Sequence, residues 1–343
     1  MRLDDLDYAL PEELIAQQPL DRREASRMLV VDRQSSCFKD TTFTDISNYF
    51  REGDLVILND TKVFPARLDG RTETGAGVEI FLVSELADGN WQVLAKPGRR
   101  LKPGKTVTFS EALSAKIVDK TEDGKVVIAF KTEGDLTDII DKIGQTPLPP
   151  YIKREKSAID ADRERYQTVY AKNRGAIAAP TAGLHFTPEL IEKVRTLGVE
   201  IAELTLHVGY GTFEPVRVDN LSEHNVLAER YEISEVAVDA LTRAKTDGRR
   251  IVAIGTTTTR ALESNISAFG QFTAGRHSAT LTITPGYTFK AVDALLTNFH
   301  LPKSSLLVLV SVFGGHELIM RAYAHAVAER YRFYSYGDCM LMV

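Results

Sequence analysis

Hydrophobic residues follow different periods along the chain, and the change between them divides it into three regions. In residues 1–65, apolar runs of strand length lie at 28–31 and 55–58. A Pro followed by acidic residues at 11–15 predicts a short helix. From about residue 160, amphipathic stripes alternate with apolar runs, which predicts helices packed on a mixed or mostly parallel sheet.

The C-terminal region carries the clearest helix and strand signals. Thr187 and Pro188 begin a stripe of apolar positions that Gly198 ends, so this segment is predicted to be a helix. Residues 199–206 follow as a strand. A second stripe at 236–244 precedes a buried type of strand at 251–254. The succession helix, strand, helix, strand is typical of an α/β domain.

The middle region changes to short strands separated by turns. Strand signals lie at 78–83, 91–95 and 125–130, and a helix is predicted at 135–143. Close spacing of such strands favours a small β-barrel or sandwich. The fold class predicted is therefore α/β, with an α/β domain formed by 1–65 plus 147–343. A small β-barrel insertion domain, 66–146, interrupts it.

Composition and charge restrict the class of protein. Hydrophobic residues make up 43% and charged residues 26% of the 343 residues, as in an ordinary globular protein. The 42 Lys and Arg against 47 Asp and Glu leave a net charge of −5, and attraction of the whole protein to nucleic acid needs the opposite sign. Any RNA contact must come from a local basic patch.

The two cysteines and the apolar stretches bear on the cellular environment. Cys37 and Cys339 have no Cys-x-x-Cys spacing, so neither a disulfide framework nor a cysteine zinc site is expected. The acidic start of the chain does not resemble a signal peptide. The apolar stretch 306–313 is much shorter than the roughly 20 residues that span a bilayer. We expect a soluble, cytoplasmic protein with no membrane contact.

One loop in the middle region concentrates positive charge. Its ten residues, 96–105, contain five basic side chains and no acid: Lys96, Arg99, Arg100, Lys102 and Lys105. The loop is the chain's clearest candidate for contact with a phosphate backbone. The alternative is a solvated loop without a partner.

A run of hydroxyl residues follows the strand at 251–254. Thr256, Thr257, Thr258, Thr259 and Arg260 precede a helix that is predicted to begin at residue 261. Free N–H groups at a helix N-terminus bind anions, and Arg260 could add a bidentate contact. The alternative is a Thr N-cap beside an exposed Arg.

Three histidines lie next to predicted strand ends or helix starts. His207 and His300 each follow a strand, while His185 precedes a helix. Ligand sites of open α/β sheets lie at the carboxyl ends of strands, so His207 and His300 are candidate acid or base groups. Asn298 and Lys303 would accompany His300. Each histidine taken singly could instead be structural.

Two further polar groups are weaker candidates. His224 and Glu229 could form an acid/base pair, or lie in a solvated loop. Asn59, Lys62 and Arg67 follow a strand, where they could line the entrance of a ligand-binding site or form a capped turn. The histidines show no His-x-His or His-x₃-His pair, so we expect no metal.

Together these segments resemble one family, the S-adenosylmethionine:tRNA ribosyltransferase-isomerases of the queuosine pathway. The matching segments run in order along the chain: 26–29, 59–67, 147–152, 165–170, 179–187, 205–212, 255–260, 285–287, 297–304 and 331–338. Several of these segments are long and uncommon, and together they cover essentially the whole chain. The resemblance also implies an α/β domain that a β-barrel interrupts.

The resemblance implies an enzyme whose acceptor is tRNA with 7-aminomethyl-7-deazaguanine at the wobble position. S-adenosylmethionine is the co-substrate that donates a ribosyl unit, and epoxyqueuosine, adenine and methionine are the products. No prosthetic group is expected, the partner is the anticodon region of the tRNA, and a monomer is expected. Two alternatives are a methyltransferase, which would release S-adenosylhomocysteine, and a tRNA-binding protein without catalysis.

The reaction requires a base for the proton on the ribose carbon beside the sulfonium and an acid for the departing adenine. His207, His300 and His224 are the first candidates for these roles, followed by Glu229 and His185. The threonine run with Arg260 would hold the carboxylate of methionine or a phosphate, and the basic loop would bind the tRNA. One departure from the family is Leu227, where a second His often stands three residues after His224.

Overall fold

The computed structural model describes residues 1–121, 124–154, 159–213 and 216–343, apart from the side chains of residues 100, 159–161, 212 and 213. The chain forms two compact units. The first contains Met1–Lys62, Pro150–Lys153 and Gln167–Val343, and the second contains Val63–Pro149 and Arg154–Tyr166. The division into domains 1–65 plus 147–343 and 66–146 remains our proposal.

The secondary structure elements follow in chain order. The described strands are β1 Arg27–Asp32, β2 Cys37–Thr42, β3 Leu55–Asn59, β4 Thr61–Val63, β5 Arg67–Thr72, β6 Gly77–Glu85, β7 Trp91–Lys96, β8 Thr106–Ser110, β9 Leu113–Lys120, β10 Val126–Thr132, β11 Asn173–Ala176, β12 Glu200–Leu206, β13 Glu229–Ile233, β14 Ile251–Ile254, β15 Gly275–Ala279, β16 Ala294–Asn298 and β17 Cys339–Met342. The described α-helices are α1 Leu136–Ile143, α2 Ile159–Arg165, α3 Pro188–Thr196, α4 Glu235–Thr246, α5 Thr256–Phe269, α6 Ser305–Gly314 and α7 His316–Ala328.

The first unit is built on a mixed sheet of nine described strands. Their order is β15-β13-β12-β3-β14-β16-β17-β1-β2. The central strands β12, β3, β14 and β16 run parallel to one another. Outside them the pairs β12–β13, β13–β15, β16–β17 and β1–β2 are antiparallel, and β1 pairs with β17 in parallel. Strands β3, β14 and β16 are buried along their whole length. Helices therefore cover both faces at the centre, as is typical of parallel sheets.

The core packs α3 against the central strands. Val56, Val252 and Leu296 of the sheet belong to the same buried cluster as Leu190 and Val194 of α3. Burial of each such side chain contributes about 1.5–3 kcal/mol. Thr187 caps α3, since its hydroxyl accepts from the N–H of Leu190 at 3.2 Å, and Pro188 at the first position restricts the backbone to helical angles.

The second unit is a closed barrel in the order β10-β7-β6-β5-β8-β9. Its strands alternate buried and more exposed positions, as in β6, where Val78, Ile80 and Leu82 are buried. Asp135 caps α1 by accepting from the N–H of Asp138 at 3.0 Å. The predicted fold class, an α/β sheet with flanking helices plus a small β-barrel, is confirmed.

Two predicted elements need correction. The segment 11–15 forms only a short 3-10 helix, Glu12–Leu14, because Ile15 turns into extended backbone. The helix expected from residue 261 begins five residues earlier, at Thr256. The threonines are buried there, and two of their hydroxyls bond back to carbonyls one turn earlier. Local hydrogen bonding and burial therefore override the weak helix propensity of Thr.

In the described part of the chain, no single helix has both the length and the apolarity to cross a membrane. Helices α6 and α7 meet these criteria only as a pair, across a bend of 116°.

Candidate functional site

The carboxyl ends of the four parallel strands meet at one edge of the sheet. Asn59 ends β3 and Asn298 ends β16, while His207 and Thr256 follow β12 and β14 directly or after one residue. His207 and His300 lie at opposite ends of this row. Three strand spacings separate β12 from β16, or about 14 Å, so the two imidazoles belong to different groups of side chains.

His207 is the centre of the first group. Its Nδ1 lies 2.9 Å from the hydroxyl of Thr61, and its Nε2 has no hydrogen-bond partner among the described residues. Burial, reinforced by the charge of Arg230, lowers the pKa of His207. Gly175 of β11 packs on the ring, because a Cβ there would lie 2.6 Å from Cε1. The imidazole is thus held neutral, with one nitrogen available.

Asn59 connects this group to the next strand. Its Oδ1 accepts from the N–H of Leu206 at 2.9 Å, and its Nδ2 donates to the carbonyl of Leu206 at 3.0 Å. Nδ2 also lies 3.5 Å from the hydroxyl of Thr257. Asn59 therefore joins β12, β3 and the start of α5, and its amide is used inside the protein.

A buried carboxylate supports the same region. Asp60 accepts from Thr205 at 2.6 Å and from Asn173 at 3.0 Å, and Asn173 also donates to Thr205 at 2.9 Å. Asn173 lies in β11, far from Asp60 in sequence. Asn173 and Thr205 were not among the predicted site residues. Their contacts with Asp60 span 113 and 145 residues, which leaves no local pattern in the sequence.

The N-terminus of α5 forms the second group. Within the helix, the first backbone bond is from the N–H of Thr259 to the carbonyl of Gly255, at 3.1 Å. The N–H groups of Thr256, Thr257 and Thr258 have no hydrogen bond among the described residues, so the helix dipole and three donors point to the sheet edge. Gly255 has φ 97°, which glycine adopts readily.

The prediction that Arg260 makes a bidentate contact with a ligand is wrong, because its guanidinium is already bonded within the protein. Its Nη1 forms a buried ion pair with Glu229 at 2.7 Å. Its other nitrogens donate to the carbonyls of Leu281, Leu227 and Ala279 at 2.7–3.0 Å. The same ion pair engages Glu229, which also accepts from the N–H of Gly209 at 2.9 Å. Arg260 thus fixes the loop around His224 instead of facing outward.

His224 lines a small cavity of about 30 Å³ beside the start of α5. Its Nε2 lies 2.8 Å from the hydroxyl of Ser305, and burial lowers its pKa. Thr256, Thr282 and Leu309 also line the cavity. Leu227, in the place of the family's second His, packs beside Gly211 with half of its surface exposed.

A third group surrounds the end of β16. The Nε2 of His300 lies 2.8 Å from the hydroxyl of Thr297, and burial lowers the pKa of His300 to about 3. Asn298 donates to the carbonyl of Tyr334 at 2.9 Å. Nδ1 of His185 lies 2.9 Å from the hydroxyl of Ser26. Burial and the charges of Arg23 and Arg332 lower the pKa of His185 to about 4. A hydrogen bond with the side chain of Asn298 acts in the opposite direction.

Three further residues, Lys303, Lys62 and Arg67, were predicted from the sequence to contact a ligand. Lys303 pairs with Asp4 at 2.8 Å and Asp7 at 2.9 Å, so its ammonium is already neutralised by two carboxylates. Lys62 is an exposed position of β4. Arg67 belongs to the second unit, where it lies 3.5 Å from Glu79. Lys303 and Arg67 thus have carboxylate partners within their own units.

The basic loop belongs to the second unit. Lys96, Arg99 and Lys102 are exposed, and Lys105 is paired with Glu73 at 3.1 Å. The side chain of Arg100 lies outside the described part of the structure. Lys96 also lines an open groove of about 610 Å³ on the barrel, together with Arg71, Glu79 and Phe109.

Among the described residues, no group of three or more His, Cys, Asp or Glu side chains could hold a metal ion.

The fold and the polar sheet edge define an α/β enzyme with a closed β-barrel as its second unit. The chain belongs to the queuosine biosynthesis protein family, whose model matches residues 3–342. The resemblance inferred from the sequence segments is thereby confirmed.

Relatives support the same assignment over full length. The S-adenosylmethionine:tRNA ribosyltransferase-isomerase of Geotalea uraniireducens is 50% identical, covering 100% of both chains. The protein of the same name in Syntrophotalea carbinolica is 48% identical, also with 100% coverage of both. The crystal structure of S-adenosylmethionine tRNA ribosyltransferase from Thermotoga maritima matches with a TM-score of 0.56 and 38% identity, covering 99% of this chain and 100% of that one.

Proposed function

We propose that this chain transfers and isomerises the ribosyl group of S-adenosylmethionine onto 7-aminomethyl-7-deazaguanine at the wobble position of tRNA. Epoxyqueuosine forms in the tRNA, and adenine and methionine leave. The names of the full-length relatives support the reaction class. The observation that carries the proposal within this structure is the neutral His207, oriented by Thr61 at the carboxyl edge of the sheet.

His207 is proposed as the base. The sulfonium acidifies the adjacent ribose carbon, and a base must accept its proton. A lowered pKa keeps the imidazole unprotonated at neutral pH, and the contact with Thr61 leaves Nε2 as the reactive nitrogen. His300 is a poorer base, because burial lowers its pKa to about 3 and Thr297 occupies its Nε2.

His224 is proposed as the second proton-transfer group, assisting the departure of adenine. It lies in the cavity that the start of α5 also lines, and its Nε2 has a hydroxyl partner in Ser305. The free N–H groups of Thr256, Thr257 and Thr258 would stabilise negative charge next to it. Glu229 and Arg260 are proposed to position this loop, since their ion pair and carbonyl contacts connect β13, β15 and α5.

The barrel is proposed to bind the tRNA backbone. Lys96, Arg99 and Lys102 are exposed in one loop, and Arg71 and Phe109 line the groove that Lys96 reaches. Basic side chains contact phosphates, and an aromatic ring can stack on a base. We further propose the anticodon region as the contact, a monomeric enzyme without a prosthetic group, and a cytoplasmic location.

The products test the reaction. Purified protein incubated with S-adenosylmethionine and tRNA carrying the 7-deazaguanine should release adenine and methionine in equal amounts. His207→Ala should lower kcat by about 10²–10⁴-fold, the range of general acid–base catalysis. His325→Ala is the matched control, since His325 lies on α7 and contacts Asp40 at 2.9 Å.

Release of S-adenosylhomocysteine would replace the proposal with methyl transfer. Binding of tRNA without any product from S-adenosylmethionine would identify a binding protein. A His207→Ala variant as active as His325→Ala would refute the role of His207 and leave the reaction itself intact.

A further inference from the structure

Three polar side chains from distant parts of the chain form a closed hydrogen-bonding network beside the segment that carries His207. Oδ1 of Asp60 accepts from the hydroxyl of Thr205 at 2.6 Å, and Oδ2 accepts from Nδ2 of Asn173 at 3.0 Å. Nδ2 of Asn173 also donates to the hydroxyl oxygen of Thr205 at 2.9 Å. Each side chain therefore contacts the other two. We call Asp60, Asn173 and Thr205 the Asp60 network.

Each member of the network lies close in sequence to the imidazole of His207 or to a residue that contacts it. Asp60 directly precedes Thr61, whose hydroxyl lies 2.9 Å from Nδ1 of the ring. Asn173 lies two residues before Gly175, where a Cβ would lie 2.6 Å from Cε1. The threonine of the network lies two residues before the histidine itself. The network thus joins the three segments that carry or contact the ring.

Backbone hydrogen bonds hold Asp60 in the same place. Its N–H donates to the carbonyl of Leu204 at 2.9 Å, and its carbonyl accepts from the N–H groups of Lys172 and Asn173 at 2.7 and 3.2 Å. The hydroxyl of Thr61 lies 3.5 Å from the carbonyl of Asn173. A shift of Asp60 would therefore move the segments on both sides of the ring.

The carboxylate of Asp60 is a buried charge. The residue is 6% exposed, and both oxygens bond to neutral donors, so the charge has no ion-pair partner among the described residues. Burial and Arg230 lower the pKa of His207, whereas Asp60 and Glu232 act in the opposite direction and Arg276 adds to the lowering. Glu232 and Arg276 are 50% and 86% exposed, and Arg230 is also exposed. Water screens these three charges more than that of Asp60.

Proton transfer gives the imidazole a positive charge. When Nε2 of His207 accepts the proton from the ribose carbon beside the sulfonium, the electron pair of the broken C–H bond stays on the carbon. A fixed carboxylate near such a ring stabilises the imidazolium and maintains its orientation. The Asp60 network combines both properties, because it holds a buried charge and joins the segments that contact the ring.

We propose that Asp60 is a positioning residue for His207: its carboxylate holds the segments that contact the imidazole, and its negative charge stabilises the imidazolium that forms in the reaction. Asn173 and Thr205 orient the carboxylate through their hydrogen bonds. This inference rests on the proposed function, because it takes His207 as the base.

Asp60→Asn tests the charge, since the substitution preserves the size of the side chain. NMR titration of the full-length protein with isotope-labelled histidines gives the pKa of His207, whose signal is the one absent from His207→Ala. This pKa should be lower than in the wild type. The kcat should fall about 10–100-fold, with little change in KM. A wild-type value of either the pKa or kcat would refute the inference.

Glu232→Gln is the matched control. It also removes a carboxylate that acts on His207, but one that is half exposed. It should lower the pKa of His207 less than Asp60→Asn does and leave kcat close to that of the wild type. Equal falls in this pKa for the two variants would show that the burial of Asp60 has no special effect, contrary to the proposal.

Asn173→Ala keeps the inference testable if Asp60→Asn does not fold. It removes one donor to the carboxylate at an exposed position, which the fold should tolerate. The kcat should fall about 10-fold, as for a catalytic group that is held less firmly, while KM and the Tm change little. A lowered Tm with the kcat of the wild type would show a purely structural role and overturn the inference.

Failure of the proposed function gives a different result. It appears as the wrong products in the wild type, or as a His207→Ala variant as active as His325→Ala. Failure of this inference leaves the products correct and His207→Ala impaired, while Asp60→Asn and Asn173→Ala keep the kcat of the wild type.

Discussion

At the scale of single residues, burial sets the protonation of the histidines near the sheet edge. His185, His207 and His300 all have lowered pKa values because burial disfavours the charged imidazole. Their partners differ: a serine hydroxyl for His185 and threonine hydroxyls for the other two. His185 and His207 are bonded through Nδ1, whereas His300 is bonded through Nε2. The local sequence around each histidine does not reveal this difference.

The pH dependence of stability should reflect His185. The unfolded imidazole titrates near 6.5 and the folded one near 4. Since the unfolded state binds the proton more tightly, this contribution is full above pH 6.5 and is lost as the pH falls towards 4. The loss is on the order of 3 kcal/mol. Urea unfolding between pH 7.5 and 4.5 should show a smaller loss for His185→Gln; equal losses in both proteins would contradict the assignment.

The pair of Glu229 and Arg260 should be important for stability. Both side chains are less than 10% exposed. Glu229→Gln leaves a buried guanidinium without its counter-charge and should lower the free energy of unfolding by about 3–5 kcal/mol. Urea denaturation measures this change.

The neighbouring exposed pair provides the comparison. Arg276 and Glu232, 2.9 Å apart on β15 and β13, are 86% and 50% exposed. Glu232→Gln should therefore cost less than about 1 kcal/mol. Similar losses for Glu229→Gln and Glu232→Gln would show that burial does not distinguish the two pairs.

At the scale of elements, the site depends on close contacts between segments distant in sequence. Strand β11 approaches the carboxyl end of β12 so closely that Gly175 touches the ring of His207. Strand β3 ends at Asn59, whose side-chain amide bonds to both backbone groups of Leu206. It accepts from the N–H and donates to the carbonyl, as the backbone of a neighbouring strand would. These contacts fix where His207 lies before any substrate is present.

Gly175→Ala should therefore reduce activity more than stability. The added methyl group would lie 2.6–2.9 Å from the imidazole of His207, so the ring must move and its contact with Thr61 must lengthen. We expect kcat to fall about 10²-fold, as for a misplaced catalytic group, with a smaller effect on KM. Gly248→Ala, a glycine with no atom within 4 Å of the added methyl, controls for general effects of losing a glycine; equal kcat values for the two variants would contradict this account.

At the scale of the whole molecule, a net charge of −5 coexists with a local basic loop. The overall charge repels tRNA, whereas Lys96, Arg99 and Lys102 are exposed on the barrel unit. Binding of RNA by such a protein would be strongly salt-dependent and confined to that unit.

Lys102→Ala should weaken tRNA binding without changing the affinity for S-adenosylmethionine. Each lost phosphate contact should reduce the slope of log K against log salt by about 0.7–0.9. Fluorescence anisotropy at several salt concentrations measures the slope. Lys131→Ala, a lysine of β10 outside the loop, should leave it unchanged; a slope equal to wild type for Lys102→Ala would exclude that contact.

Much of the fold could be predicted from the sequence, because apolar periodicity and helix capping depend on residues that are close together in the chain. The period of apolar residues predicted β14 and, within one or two residues, α3, α4 and β12. Thr187 and Pro188 marked the start of α3 because capping depends on neighbouring residues only. The start of α5 was predicted incorrectly, since burial of its threonines depends on strands far away in the chain.

The sequence by itself determined the family, the order of elements and the barrel, because segment motifs and periodicity are properties of neighbouring residues. Only the tertiary structure decided that Arg260 is engaged by Glu229 and that Lys303 faces Asp4 and Asp7. Partner choice and desolvation depend on distances between residues up to hundreds of positions apart, and those distances exist only once the chain has folded.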